Sequence, residues 1–324
     1  MTVPILLSGA TSNTGQVIAE QLRDRDRPFV AMVRNSSRLR EVEDLGMRAV
    51  VGDYDDPRSL ERALDGIEIA YLVCTPDQHL LRRELAFIEA AKRVGVRHIV
   101  KCSAYLASPE GSTQNLRSHG KIERVLIDSG VDYTILRPIG FMQTFTLFGW
   151  NLIVKAGAIS LPAGGGGMPL IDVRDVASAA VLALTEPAHA GKIYDLTGPE
   201  VLTMYDVAAT LQRELGRPVT YLPGNERQMK LMMRALGVPA VPTKHAIEIF
   251  RLQREHMFET TSATLHELGI TPTTYAQFVR DLIAGRTGGG ESFQPPQTRL
   301  ARLFESVMPL AMRGYLYVGG RARR

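Results

Sequence analysis

Across the first 140 residues, short apolar runs alternate with stretches of helical period, and this alternation limits the fold more than any other feature. Val3–Ser8, Phe29–Val33, Ala49–Val51, Ile69–Val73, His98–Cys102 and Tyr133–Leu136 are the candidate strands. Between them, Val17–Arg25, Ser59–Leu64, Leu80–Val94 and Ser118–Asp128 read as helices, and Leu81, Leu85, Ile88 and Ala91 mark the apolar stripe of the longest. Short strands that are apolar throughout are buried on both faces, and the helices between them supply the cover. The expected fold class is therefore α/β, a Rossmann-type doubly wound parallel sheet.

After residue 140 the pattern loosens. Val173–Thr185 reads as a helix returning to the first unit, Tyr194–Thr197 as a strand, and Thr203–Leu215, Gln228–Leu236 and Lys244–His256 as helices. We expect one unit over 1–285, with a Rossmann part of 1–150 and 173–185 and a smaller interwoven substrate lobe of 151–172 and 186–285. Residues 286–324 contain Pro295-Pro296 and form a C-terminal extension, with a helix expected over Arg299–Leu310.

Charge and composition remove several function classes. The net charge of +4 comes from scattered basic residues, which argues against a nucleic-acid partner. The most apolar stretch, Ile139–Val154, is interrupted by Gln143, Thr144, Thr146 and Asn151 and is short of a membrane span. Two distant cysteines, Cys74 and Cys102, exclude a disulfide framework and a CxxC motif, and no metal site is expected. Reduced thiols and an N-terminus without a basic leader point to the cytoplasm.

The strongest local signal is Gly9-Ala-Thr-Ser-Asn-Thr-Gly15, which follows the first strand and opens the first helix. Gly9 suits the tight turn and Gly15 the close helix–sheet packing of a dinucleotide loop, although Ser12 stands where a middle glycine is usual. Thr11, Ser12, Asn13 and Thr14 complete the phosphate cradle at the helix N-terminus. At the end of the second strand, where an acid selects NAD, the chain carries Arg34, Asn35 and Ser36. A guanidinium there suits a 2′-phosphate, so the expected cofactor is NADP(H). Asp53 and Tyr54 follow the third strand and are expected beside the adenine.

These segments resemble the NmrA-like group of atypical short-chain dehydrogenase/reductases. The resemblance rests on the GATxNTG loop, on VRN at 33–35, GDYDDPRSL at 52–60, SGVDYTILRP at 129–138 and IDVRDVA at 171–177, and it covers residues 3–283. Within the group, His119-Gly-Lys-Ile-Glu123 resembles the triphenylmethane-reductase and quinone-oxidoreductase branches, which places a site role on His119. Lys121 is the reserve, by likeness to the catalytic lysine of the isoflavone-reductase branch. The Tyr-xxx-Lys pair of ordinary short-chain dehydrogenases is absent, and its tyrosine place falls on Asn115.

The resemblance implies an NADPH-dependent reductase of an apolar aromatic or quinonoid small molecule: a quinone, ketone or imine. Non-enzymatic NADP(H)-binding sensors and assembly factors in the group are the alternative, and a tail with Leu300, Leu303, Phe304 and Val307 on one helical face would then hold a protein partner or a second copy. Ligands bind at the carboxyl ends of parallel strands. Cys74, Thr75 and Pro76 after strand four, Ser103 and Tyr105 after strand five, and Pro138 after strand six are thus expected at the cofactor. Ser103, Tyr105, His119 and Lys121 are the catalytic candidates, with Tyr105 able to replace the missing acid. Phe141, Met142, Phe145, Phe148 and Trp150 are expected to wall the substrate pocket. Glu123 reads as an orienting residue, Asp172 and Asp175 as helix caps, and Gly164–Gly167 as a lid or a connector.

Overall fold

The computed structural model describes residues 5–143, 153 and 157–286. Seven strands form one parallel sheet: β1 (Ile5–Ser8), β2 (Phe29–Val33), β3 (Ala49–Val51), β4 (Ile69–Leu72), β5 (His98–Cys102), β6 (Asp132–Pro138) and β8 (Lys192–Leu196). Their spatial order is β3-β2-β1-β4-β5-β6-β8, and every neighbouring pair is parallel. The strand order reverses between β1 and β4, which opens a crevice at their carboxyl ends. A second, two-stranded sheet pairs β7 (Ala158–Ile159) with β9 (Thr220–Tyr221). β8 falls in the segment expected for the substrate lobe but completes the main sheet against β6.

Alternation along the strands sorts the core into two layers. Ile5, Leu7, Val100 and Cys102 belong to the layer of α1 (Asn13–Asp24), α2 (Leu39–Asp44, through Val42) and α6 (Val173–Thr185). Leu6, Ala70, Leu72 and Ile99 face α3 (Pro57–Leu64), α4 (Leu80–Val94) and α5 (Gln114–Ile127). Lys101 shares the parity of Ile99, so its side chain enters the second layer, between α4 and α5.

Helix starts follow their caps. The Ser12 side chain accepts from the Gly15 amide, so α1 begins inside the glycine loop rather than at Val17. Thr113 does the same for the Leu116 amide and starts α5 one turn before the apolar pattern shows it. Such caps contribute about 1 kcal/mol each. Asp172 caps α6 through the Arg174 amide, and Asp175 braces it by accepting from the Thr273 amide at 2.8 Å and hydroxyl at 2.9 Å.

The second part adds α7 (Met204–Leu215), α8 (Glu226–Ala235), α9 (Ala240–Arg254), α10 (Thr264–Glu267) and α11 (Tyr275–Ile283). The Gly164–Gly167 segment is a connector packed on the end of α9. A Cβ on Gly166 would lie 1.7 Å from the Gln253 carbonyl oxygen, and the Gln253 amide donates to the Gly166 carbonyl. Among the described residues, no helix is long and apolar enough to cross a membrane, and no group of three or more His, Cys, Asp or Glu side chains could hold a metal. Phe145, Phe148, Trp150 and the expected tail helix lie outside the described residues.

Candidate active site

The glycine loop lies at the crevice. Gly9 has φ of 64°, the left-handed region, and a Cβ there would meet Val73 at 2.6 Å. A Cβ on Gly15 would sit 2.1 Å from the Gly9 carbonyl oxygen, so only glycine lets α1 start this close to β1. The loop that results brings the positive end of α1 to the crevice, the geometry that suits a pyrophosphate. At the end of β2, Arg34 is exposed, 3.5 Å from Asp53 and 3.2 Å from Asp55. Asn35 is turned to the Ser37 hydroxyl, and Ser36 opens a short 3-10 turn. That turn brings the Arg38 guanidinium to 3.4 Å from the Thr11 hydroxyl of the loop. Sequence reasoning did not single out Arg38, although its place four residues after Arg34 was the signal. Tyr54 departs from expectation: its hydroxyl is tied inward to the Val73 carbonyl at 2.9 Å, and its ring lies against Phe87.

A cavity of about 540 Å³ opens where β4, β5 and β6 end. Its sheet-side wall contains Cys74, Pro76, Ser103, Tyr105, His119, Pro138 and Phe141, all of which sequence reasoning had named, and Asn115, which stands in the place of the missing tyrosine. Its far wall comes from α8, α9 and the turn beyond them, through Met233, His245, Phe250 and Phe258. That wall was not anticipated, because those helices carried no motif. Three of the site residues expected here lie outside this cavity. Met142 is fully buried, with its amide bonded to the Ile171 carbonyl, and it does not line the cavity. Lys121 is exposed on the outer face of α5, two residues around the helix from His119, and does not reach the cavity. Thr75 is likewise exposed and outside the lining.

His119 is placed by close packing. A Cβ on Gly120 would fall 2.1 Å from the Ser108 carbonyl carbon, so the glycine lets α5 lie against the loop after β5. One turn on, buried Glu123 accepts from the Ser103 hydroxyl at 2.5 Å and from the Arg137 Nε at 3.0 Å. This ties β5, α5 and β6 together and commits the Ser103 proton to Glu123, so Ser103 is not a free donor toward the cavity. Tyr105 packs at the edge of Phe258, and burial pushes its phenol up, so it keeps its proton at neutral pH. Burial raises the Cys74 thiol to about 11 and that of Cys102 in the same direction, which leaves both unreactive.

Behind His119 lies a buried charge pair. Lys101 Nζ is 3.2 Å from His119 Nδ1, 2.6 Å from the Cys102 carbonyl oxygen and 2.7 Å from Glu84 Oε2. Lys101 and Glu84 are both 0% exposed, so each requires the other. Burial raises Glu84 above the usual carboxylate value, and Lys101 opposes that rise. Burial, the Lys101 charge and His245 together hold His119 well below the usual histidine value. Burial also lowers His245, so both imidazoles on the cavity wall are neutral at pH 7.

The chain compares with known proteins as follows. A family model described as NAD(P)H-binding matches residues 9–187, more than half of the chain. An NAD(P)H azoreductase of Xenophilus azovorans is 33% identical over 85% of this chain and 96% of its own length. The NADPH-dependent quinone oxidoreductase of Escherichia coli, crystallised with NADPH, superposes with a TM-score of 0.77 at 27% identity, over 86% of this chain and 99% of that one. The triphenylmethane reductase of Citrobacter sp. in complex with NADP(H) has the same fold, with a TM-score of 0.77 at 24% identity, over 86% of this chain and 99% of that one. With its glycine loop at the β1–β4 crevice and its cavity at the strand ends, the chain belongs to the NAD(P)H-binding family, as an NAD(P)H-dependent oxidoreductase of the NmrA-like, atypical short-chain dehydrogenase/reductase group.

Proposed function

We propose that this oxidoreductase reduces neutral, apolar aromatic acceptors such as quinones, aryl ketones or imines, and that it takes NADPH in preference to NADH. The observation that carries the substrate class is the cavity wall. Among its described lining residues there is no Asp, Glu, Lys or Arg, and the polar groups are two neutral imidazoles, a phenol, the Ser103 hydroxyl, the Asn115 amide and thiols. Moving a charged group into such a site without a partner costs several kcal/mol, whereas a flat apolar ring with one or two acceptor atoms loses little. The azoreductase and quinone oxidoreductase names of the relatives point the same way.

The preference for NADPH rests on Arg34 at the end of β2 and on Arg38 beside Thr11, where no acid is free to take a ribose hydroxyl. Asp53 and Asp55 are already paired to guanidinium groups. Gly9, Gly15 and the α1 N-terminus would hold the pyrophosphate, and the bound dinucleotide supplies the hydride. The protein's part is orientation and hydrogen bonding. With Nδ1 occupied by Lys101, the His119 Nε2–H is the donor left for the acceptor heteroatom, and the Tyr105 hydroxyl is a second donor. The apolar far wall excludes water from the acceptor face.

The test is a panel of acceptors with purified protein and NADPH. Neutral benzoquinones and naphthoquinones should turn over, and adding sulfonate groups to a naphthoquinone or an azo dye should cut kcat/KM at least tenfold per group. Equal rates for neutral and sulfonated members would contradict the assignment.

A further inference from the structure

We propose that Lys101, held by Glu84, is a positioning residue that fixes His119 as the neutral imidazole with its proton on Nε2, toward the acceptor. The proposal rests on the reading of His119 as the donor at this site. An ammonium group has three donors and no lone pair. The three neighbours of Lys101 Nζ are the Cys102 carbonyl, Glu84 Oε2 and His119 Nδ1, all within 3.2 Å. Nδ1 can face that ammonium only as an acceptor, so the ring proton must lie on Nε2. Protonating Nδ1 would set two donors against each other in a buried site. A lysine inside a central strand is costly, and here its charge is matched by Glu84 while its donors reach the Cys102 carbonyl and the imidazole.

The groups around His119 agree. Lys101 approaches from β5, with Glu84 behind it on α4. His245 stands across the cavity on α9, close enough that a charge on either ring disfavours a charge on the other. Glu123, one turn along α5, is occupied by Ser103 and Arg137 and does not compete for the ring. The consequence concerns reduction of a carbonyl. As the hydride forms the new bond to the acceptor, the electron pair of the broken π bond moves to oxygen and the dinucleotide is oxidised. A fixed neutral Nε2–H meets that oxygen as a hydrogen-bond donor, and water delivers the proton on release. Donors set in place before charge develops are worth far more than donors that must reorient.

The lock is read by two-bond 1H–15N correlation of the histidine rings in the full-length protein without dinucleotide, with the His119 signal assigned by its loss in His119→Ala. Wild type should show an unprotonated Nδ1 and a protonated Nε2, unchanged as the pH falls through the range in which an ordinary histidine titrates. In Lys101→Met the same ring should become a mixture of tautomers and titrate. Quinone kcat should fall about tenfold while the NADPH Kd stays within twofold. The paired variant Glu84→Leu/Lys101→Met leaves no buried lone charge and should show the same ring behaviour if the single variant folds poorly. An Nδ1–H tautomer in wild type, or an unchanged ring signal in both variants, would overturn the proposal. Failure of the donor reading is a separate result: unchanged quinone turnover in His119→Ala, with the wild-type lock still visible.

Discussion

Lys101 shows how a single residue can hold most of a site's electrostatics. Its charge is matched by one carboxylate, so removing that carboxylate leaves an ammonium with no counter-charge in the sheet. We expect Glu84→Gln to lower the unfolding free energy by about 3–5 kcal/mol, and Glu84→Leu/Lys101→Met to recover most of the loss, both read by denaturant unfolding. A cost below about 1 kcal/mol for Glu84→Gln would mean the pair is not buried as described. The sequence announces His119 through its place in HxxxE, but it does not announce Lys101. Within His98-Ile-Val-Lys-Cys102 a lone lysine reads as a strand-end surface residue, and its partner Glu84 sits on a different helix. Pairings across the sheet depend on how β5 parity and the α4 and α5 faces meet, which no local pattern encodes.

At the scale of elements, the β2 end and the start of α6 make opposite electrostatic arguments. Arg34 closes β2 and Arg38 reaches Thr11 of the glycine loop, so Arg34→Ala and Arg38→Ala should each raise the NADPH Kd about tenfold while changing the NADH Kd less than threefold, by fluorescence titration. Equal losses for both dinucleotides would remove the 2′-phosphate assignment. On α6, burial outweighs the bonds from Thr273 and raises Asp175 to about 6. The folded state therefore binds this proton more tightly than the unfolded chain, whose carboxyl titrates near 3.9. Its contribution is full below about pH 4 and is lost as the pH rises through about 6. Asp175→Asn should remove on the order of 2–3 kcal/mol of pH-dependent stability across that window. A wild-type minus variant difference that is flat between pH 4 and 6 would contradict it. The seven strands of the main sheet, and helices such as Leu80–Val94 and Val173–Thr185, were legible because burial sets their pattern, whereas the two-residue strands β7 and β9 were not. The starts of α1 and α5 were not, because polar caps set them.

Across the whole molecule, two parts of the chain meet over one cavity. The sheet-side wall could be read from strand ends, because parallel strands must present their carboxyl ends to the ligand. The opposite wall, with His245, Phe250 and Phe258, was invisible, since it arises from how α8 and α9 pack back over the crevice. On the proposed function, this cavity supports NADPH-driven reduction with His119 as the donor. The most direct measurement is anaerobic oxidation of NADPH by a neutral naphthoquinone, followed at the nicotinamide absorbance, for wild type and His119→Ala. We predict saturable turnover in wild type, and a fall in kcat of about 10²-fold in the variant with NADPH binding retained. Tight NADPH binding with no oxidation, or turnover untouched by the substitution, would contradict the claim.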